Sequence, residues 1–386
     1  RQGLDAAVGF SVAEARFLAA HAGEIAEVAP QVALTKQSVF ADRAVLDARF
    51  GEYARAVSVL ISSQRAAAGK FPEHWLTDAD AVQQATPARV AQVRATRIAA
   101  AVVEFVHDVT CSVGSEAPAF LDAGVAWLGS DLNAARLVMA RHNLGADAWL
   151  ARADALAPVS TGGAVVADPA RRAGGKRITD PAKLLPPLPD LLAAHAGREM
   201  AVKCAPGIDY SGWDGLVSVV SVDGGVKEAC LYTPGLAGGV RREAVVLRDF
   251  EERVTDAEPD EVEVTAPRRW IIEPDGAVVR AGLVRQWAAR HGLSMLDEHI
   301  AYTTGEVIPA GYSGFEFIEA VPLRALKKTL AGHGAGSAEI LVRGVDVDPD
   351  QLRKKLKLRG DRPMGVVIAR VGDDAVAHVC HARVHA

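Results

Sequence analysis

The chain has 386 residues, of which 49% are hydrophobic and 24% charged, and its 43 Lys and Arg against 48 Asp and Glu give a formal net charge of −5. This length suggests two or three domains with ordinary globular cores. The slightly acidic balance argues against a protein that coats nucleic acid over its whole surface. No apolar run approaches the roughly 18 residues of a membrane helix, and no segment resembles a signal peptide. We therefore expect a cytoplasmic protein without a membrane partner.

The cysteines are few and scattered along the chain. Their spacing shows no pairs, which predicts neither a disulfide framework nor a metal site. Free thiols also fit a reducing compartment. The four are Cys111, Cys204, Cys230 and Cys380.

Residues 1–84 have the pattern of a helical domain. Apolar and small residues recur at helical intervals within residues 12–20 and again within residues 50–61. A Gly-Lys-Phe-Pro turn at residues 69–72 precedes a further short helical run. We predict an N-terminal helical domain over this stretch.

Residues 85–266 alternate strand-like and helix-like segments, which predicts a parallel sheet with crossover helices. The predicted strands are 104–109, 125–130, 164–167, 199–203, 217–222 and 226–232. The last two flank Asp223-Gly224-Gly225 and indicate a hairpin. The acid-rich residues 249–263 predict a solvated connection. Residues 267–311 then suggest a small α+β connecting domain of ferredoxin-like type, and residues 312–386 a separate terminal domain.

An acid stands at the end of each of four successive apolar segments, at Asp108, Asp131, Asp154 and Asp168. A turn containing Gly114 follows the first of them. A doubly wound α/β sheet holds an adenosine ligand at the carboxyl ends of its strands. The pattern therefore predicts an enzyme with a nucleotide cofactor, although each acid alone is also typical of ordinary helix capping.

The acids also discriminate between cofactors. A dinucleotide fingerprint needs three glycines, whereas this turn has Gly114 between Asp108 and Glu116. Two carboxylates would repel a pyrophosphate, but they suit the ammonium and sulfonium groups of S-adenosylmethionine. Asp131 has the spacing of an acid that meets ribose hydroxyls, and Asp154 is expected beside the adenine. We predict S-adenosylmethionine as the cofactor.

Three motifs carry a family resemblance: Asp-Val-Thr-Cys-Ser-Val-Gly at 108–114, Gly-Ser-Asp-Leu-Asn at 129–133, and Ala-Asp-Pro-Ala-Arg-Arg at 167–172. Together they resemble a bacterial family of class I S-adenosylmethionine-dependent methyltransferases with a THUMP-like C-terminal domain. The core of that family is similar to trimethylguanosine synthase, which methylates the exocyclic N2 of guanine in RNA. The similarity continues through residues 84–91, 201–207, 270–275 and 342–349.

This resemblance implies an α/β fold: a Rossmann-like class I methyltransferase sheet over residues 85–266, an N-terminal helical domain, and a small α+β THUMP-like domain at the C-terminus. It implies that Thr86 and Pro87 pack near the cofactor. It also implies that Cys111, as a small packing residue, and Leu132 belong to the cofactor-binding segments.

The catalytic prediction falls on Asp168-Pro169-Ala170-Arg171. In amino-methylating enzymes this segment has an acid or amide followed by Pro-Pro-aromatic, and its oxygens accept hydrogen bonds from the target amine. Alignment of the nitrogen with the methyl donor then supplies most of the rate. Arg171 stands where the aromatic residue is usual, and its guanidinium could stack on a base or bind a phosphate. We therefore predict catalytic roles for Asp168, Pro169 and Arg171, with Asp168 also near the cofactor.

Basic residues at two places predict contacts with RNA. Arg171, Arg172, Lys176 and Arg177 form a glycine-containing loop next to the catalytic segment, and Lys203 ends the next strand. Residues 324–370 are also strongly basic, and residues 352–360 indicate a basic amphipathic helix that stops at a glycine. We predict that Lys354 and Lys355 of this helix contact phosphates.

A second mechanism remains open. Pyrimidine C5 methylation uses a thiolate nucleophile from a Cys-x-Pro at this strand end, and the chain has Cys204-Ala205-Pro206. A buried and inert cysteine is the alternative interpretation.

The sequence thus predicts an S-adenosylmethionine-dependent methyltransferase that acts on tRNA or rRNA, on a base nitrogen such as guanine N2. The alternatives are a Cys204-dependent C5 methyltransferase, a catalytically idle RNA-binding protein that still binds the cofactor, and an enzyme that methylates a small metabolite.

Overall fold

The computed structural model describes residues 9–170, 172–173 and 176–386. Their contacts divide the chain into two compact units. One comprises the described residues up to Leu216 together with Lys227–Gly239, and the other comprises Val217–Val226 and Val240–Ala386. Within the described ranges, no helix is both long and apolar enough to cross a membrane.

Helices open the first unit and then alternate with its strands. Its helices are α1 Val12–Ala20, α2 Ala22–Val28, α3 Val39–Phe50, α4 Ala54–Ala66, α5 Ala79–Gln84, α6 Ala88–Ala100, α7 Ala117–Asp122, α8 Ala134–Leu144 and α9 Leu188–Ala194. The helical character predicted before residue 84 is confirmed, and α1 begins with a capping box between Ser11 and Glu14. Leu18 and Leu60 of this region share a hydrophobic core with Met139 of α8.

The strands from Phe105 to Tyr232 follow in chain order. They are β1 Phe105–Asp108, β2 Ala126–Asp131, β3 Trp149–Arg152, β4 Ala164–Ala167, β5 Arg172–Ala173, β6 Lys176–Arg177, β7 Met200–Cys204, β8 Leu216–Val222 and β9 Gly225–Tyr232. All six predicted strands are confirmed; the two-residue strands β5 and β6 were not predicted, and neither was β3. Its residues are only partly buried because β3 lies at the sheet edge, so its sequence lacks a strong apolar run.

The sheet of the first unit has the order β3-β2-β1-β4-β7-β9. Neighbouring strands are parallel except for β9, which runs antiparallel to β7. Asp223 and Gly224, between β8 and β9, both have positive φ (48° and 80°), as a tight hairpin turn requires. The parallel order brings the carboxyl ends of β1, β2, β4 and β7 to one edge, where the predicted acids stand.

The helices and strands after residue 240 lie in the second unit. They are β10 Arg242–Leu247, β11 Glu251–Thr255, β12 Trp270–Ile272, α10 Gly276–Ala281, α11 Val284–Arg290, β13 Ser294–Asp297, β14 Ile300–Gly305, β15 Ser313–Pro322, α12 Leu326–Gly332, β16 Ala335–Arg343, α13 Pro349–Leu356, β17 Arg362–Val371 and β18 Asp374–His385. Strands β12 to β18 form one sheet of order β13-β14-β12-β15-β18-β17-β16. The predicted boundary at residue 311 falls within this sheet, and the four-domain division remains a prediction.

Two expectations for this unit were wrong. Residues 249–263 are not simply a solvated connection, because β11 pairs with β10 and its Glu252 lies 2.8 Å from His291 Nε2 and 3.0 Å from Arg290 Nη1. The basic helix is displaced toward the N-terminus: Asp348 caps its start, and it ends at Leu356, before Lys357 in left-handed conformation. The acids and lysines of these two segments correctly predicted that the segments are polar. They did not predict the strand pairing of β11 or the helix bounds, which depend on neighbouring residues.

Candidate active site

The turn after β1 has a backbone that only glycine adopts easily. Gly114 has φ 85°, and a Cβ there would come within 2.7 Å of Leu144 Cδ1. Cys111 N–H donates to the Ser130 carbonyl at 3.0 Å, which ties the turn to β2. Backbone conformation and helix packing therefore account for Gly114 without any pyrophosphate.

A cavity of about 250 Å³, cavity A, opens beside this turn at the carboxyl edge of the sheet. It is lined by Ala81, Gln84, Ala85, Asp108, Thr110, Cys111, Ser112, Val113, Ser115, Glu116, Asp131, Arg136, Val166, Asp168, Ala170, Leu185 and Lys203. Asp131 is fixed by two backbone donors, Ser112 N–H at 2.9 Å and Asn133 N–H at 2.8 Å. The carboxylate therefore reaches cavity A already oriented.

Asp108 is one of two buried acids in the lining of cavity A, with Glu116. Asp108 is 3% exposed, and Thr110 N–H donates to its carboxylate Oδ1 at 3.2 Å. Burial, reinforced by the negative charge of Glu116, raises the pKa of Asp108 to about 8 despite the opposing charge of Lys203. A cationic ligand next to Asp108 would favour its ionised form.

A chain of buried ion pairs runs from this turn to the catalytic segment. Arg94 of α6 binds Glu116 through Nε at 3.1 Å and Glu228 of β9 through Nη1 at 2.6 Å. Lys203 Nζ lies 3.0 Å from Glu116 and 2.8 Å from Asp168. All of these side chains are 5% exposed or less except that of Asp168, which is 20% exposed.

The charges of this chain stabilise one another. Burial alone would raise the pKa of Glu116, but Arg94 and Lys203 hold it well below its usual range. Burial alone would lower the pKa of Lys203, and the carboxylates of Asp168 and Glu116 raise it instead. Glu116 is thus engaged by two cations, so it organises the site more directly than it could bind a cofactor ammonium.

Neither Arg94 nor Glu228 was predicted from the sequence. Arg94 lies three residues after Ala91 and four before Ile98, on the buried face of α6. A charged residue at a core position of an amphipathic helix was the available signal, because an arginine is rarely buried unless it is paired. Glu228 gave no comparable signal.

A second cavity of about 580 Å³, cavity B, adjoins the catalytic segment. It shares Gln84, Ala85, Asp168 and Ala170 with cavity A. Its other lining residues are Lys70, Gln83, Thr86, Pro87, Pro169, Ala205, Pro206, Lys227 and Glu228. Asp168 therefore stands at the junction of the two cavities, with its backbone N–H donating to Thr110 Oγ1 at 2.7 Å.

Other residues of the predicted cofactor site are dispersed. Thr86 and Pro87 line cavity B, and Cys111 is buried in the wall of cavity A. Leu132 is 60% exposed and lines neither cavity. Asp154 is exposed, and its carboxylate accepts from Leu156 N–H at 2.9 Å, as a capping residue does.

The predicted substrate-binding residues also differ in their surroundings. Arg171 lies outside the described residues. The backbones of Arg172–Ala173 and Lys176–Arg177 pair as the short antiparallel strands β5 and β6. Lys203 is buried in the ion-pair chain, whereas Lys354 and Lys355 are exposed on α13.

Cys204 is fully buried, and it lines neither cavity A nor cavity B. A nucleophilic thiolate must reach its substrate, so this position does not favour the C5 mechanism.

Cavity A suits S-adenosylmethionine better than a dinucleotide. Asp108 and Asp131 face it, and the one glycine of the turn is used for backbone conformation and packing. A sheet of this order with its last strand antiparallel, and acids at the carboxyl ends of its strands, defines a class I methyltransferase core.

Comparisons with known proteins agree. Residues 313–382 match the family described as THUMP domain-like. Two proteins of Mycobacterium tuberculosis, from strains CDC 1551 / Oshkosh and H37Rv, are each described as an uncharacterized S-adenosylmethionine-dependent methyltransferase. Each is 48% identical to this chain over 351 residues, which is 86% of this chain and 97% of the relative. A crystal structure of a candidate methyltransferase from Porphyromonas gingivalis W83 has the same fold, with a TM-score of 0.63 at 18% identity over 90% of this chain and 98% of that one.

The chain therefore belongs to the S-adenosylmethionine-dependent methyltransferases and carries a THUMP-like domain at its C-terminus. The predictions of the fold class, of the enzyme class and of the cofactor are confirmed.

Proposed function

We propose that the protein methylates a base nitrogen of tRNA or rRNA, with the exocyclic N2 of guanine as the preferred acceptor atom. The observation that carries this proposal is the position of Asp168 between cavities A and B, 2.8 Å from Lys203 Nζ. A carboxylate held there can accept a hydrogen bond from an amine that enters through cavity B. S-adenosylmethionine, when bound, supplies an electrophilic methyl group.

The chain's own residues orient the acceptor. Thr110 Oγ1 holds the backbone of Asp168, and Lys203 holds its carboxylate, so the acceptor oxygen is fixed from two sides. Pro169 stiffens the segment that follows. Methyl transfer to nitrogen gains most of its rate from such alignment and needs no strong base. Asp108 and Asp131 would hold the cofactor in cavity A, and Thr86 and Pro87 would position the acceptor in cavity B.

RNA is favoured over a small metabolite by the THUMP-like domain and by its exposed lysines. Lys354 and Lys355 are exposed to solvent on α13, where they can bind phosphates of a structured RNA. An enzyme for a small metabolite would have no use for this surface. We also propose phosphate contacts from Arg171, Arg172, Lys176 and Arg177, which follow the catalytic segment in the sequence.

Comparison of modified nucleosides tests the proposal. Mass spectrometry of tRNA and rRNA from a deletion strain should show the loss of one N-methylated base, and wild-type protein should restore it in vitro. Asp168→Ala should reduce turnover by about 10² or more, because alignment is lost, while calorimetry still detects cofactor binding. Cys204→Ala serves as the control that should remain active. An unchanged nucleoside inventory would refute RNA methylation, and loss of activity in the Cys204 variant alone would support the C5 mechanism.

A further inference from the structure

The lining of cavity B contains both carboxylates and lysines. Asp168 and Glu228 are carboxylates in its lining, whereas Lys70 and Lys227 are exposed lysines from two separate segments. Its volume of about 580 Å³ lies within the roughly 300–1,000 Å³ of pockets that hold one small ligand. A paired helix does not fit such a pocket, but a single nucleotide does.

We propose that cavity B holds one nucleotide extruded from its RNA, with Lys70 and Lys227 binding the phosphates on either side of it. This inference rests on the proposed function and names the part of the substrate that cavity B recognises. Enzymes that modify an atom within the base stack take the nucleotide out of it. The phosphates of an extruded nucleotide remain outside the pocket, where the two exposed lysines of the lining can reach them.

The charges of the lining fit the two ends of such a ligand. Glu228 is fixed by Arg94 at 2.6 Å, and Thr86 Oγ1 lies 3.5 Å from it. Asp168 offers a carboxylate oxygen that accepts from a base amine, and the two carboxylates together repel phosphate. The lysines therefore set the direction in which a nucleotide enters.

Among the described residues, neither lysine forms an ion pair. Lys70 Nζ donates to the Val82 carbonyl at 3.2 Å, which uses one of its three donors. Lys227 is exposed at the start of β9. Lys227 is exposed, and Lys70 gives up only one hydrogen bond, to the Val82 carbonyl, so charge reversal at these sites should leave the fold intact.

The test uses the full-length protein, labelled S-adenosylmethionine and total RNA from the deletion strain. The Lys70→Glu/Lys227→Glu variant should raise KM for RNA at least tenfold. It should also flatten the dependence of log KM on log salt by about 0.7 for each lost phosphate contact. Lys36→Glu, at an exposed lysine outside both cavities, is the matched control and should leave KM and its salt slope unchanged.

Calorimetry with GMP and guanosine separates this inference from the proposed function. GMP should bind the wild-type protein more tightly than guanosine, and the double variant should remove that difference. If the wild-type protein transfers no methyl group to RNA, the proposed function fails. The comparison of GMP with guanosine still shows whether cavity B binds a nucleotide through its phosphate. The inference is overturned if the double variant has the same KM and salt slope as Lys36→Glu. It is also overturned if the wild-type protein binds GMP and guanosine equally well.

Discussion

Lys203→Met removes the cation that holds Asp168. The side chain of Lys203 is 3% exposed and pairs with both Asp168 and Glu116. Loss of one partner of a buried pair costs about 3–5 kcal/mol, because a charge is left uncompensated. Glu116 keeps Arg94 at 3.1 Å, and the Asp168 side chain is 20% exposed. We therefore expect the lower end, a decrease of about 3 kcal/mol in the free energy of unfolding.

The pH range of this effect follows from the pKa of Lys203. Burial opposes its charge, but Asp168 and Glu116 raise its pKa above the usual value of 10.5. A raised lysine pKa stabilises the fold fully below the pKa of the unfolded chain, and the effect is lost as pH rises through the folded value. At pH 7 the whole contribution of Lys203 is present, so neutral buffer is the right condition for the measurement.

Urea unfolding and turnover measure the two consequences of Lys203→Met. Misplacement of the acceptor oxygen should lower kcat by about 10- to 100-fold. Lys183→Met is the matched control: Lys183 is 76% exposed and pairs only at the surface, with Asp180 at 3.4 Å, so it should change stability by less than about 0.5 kcal/mol. In a double-mutant cycle with Asp168→Asn, the effects of the two substitutions should not add. Wild-type stability and kcat in Lys203→Met would refute the role of this ion-pair chain.

Two further predictions concern pH and salt. Because burial and Glu116 raise the pKa of Asp108 to about 8, the folded protein keeps a proton that the unfolded chain loses near pH 4, and stability should fall as pH rises through this window. Binding of the cationic cofactor at pH 7 should therefore release nearly one proton from Asp108, and calorimetry in two buffers with different ionisation enthalpies measures this release. If the Asp108→Asn variant releases the same number of protons, the proton does not come from Asp108. Lys354→Glu/Lys355→Glu should weaken RNA binding similarly for all sequences and reduce its salt slope by about 1 for each phosphate contact. An unchanged slope in filter binding would remove α13 from the RNA-binding surface.

Local sequence predicted most strands of the central sheet. Apolar runs broken by turn residues predicted all six strands that were named, since most residues of these strands are buried and the apolar runs reflect that burial. The positive φ of Gly114 and of Asp223-Gly224 likewise follows from residue type and its immediate neighbours. Edge strand β3 and the acidic β11 were not predicted, because their residues are partly exposed and lack a strong apolar run. Pairing with a neighbouring strand determines their structure.

The arrangement of the candidate site depended on tertiary structure. Sequence alone indicated that Asp108, Asp131, Asp154 and Asp168 stand at one sheet edge, since parallel strands bring their carboxyl ends together. It could not show that Lys203 is held between Glu116 and Asp168, or that Arg94 joins them, because these partners are far apart along the chain. The charge of a residue is written in its sequence, but its burial and its counter-ion are decided only when distant segments pack together.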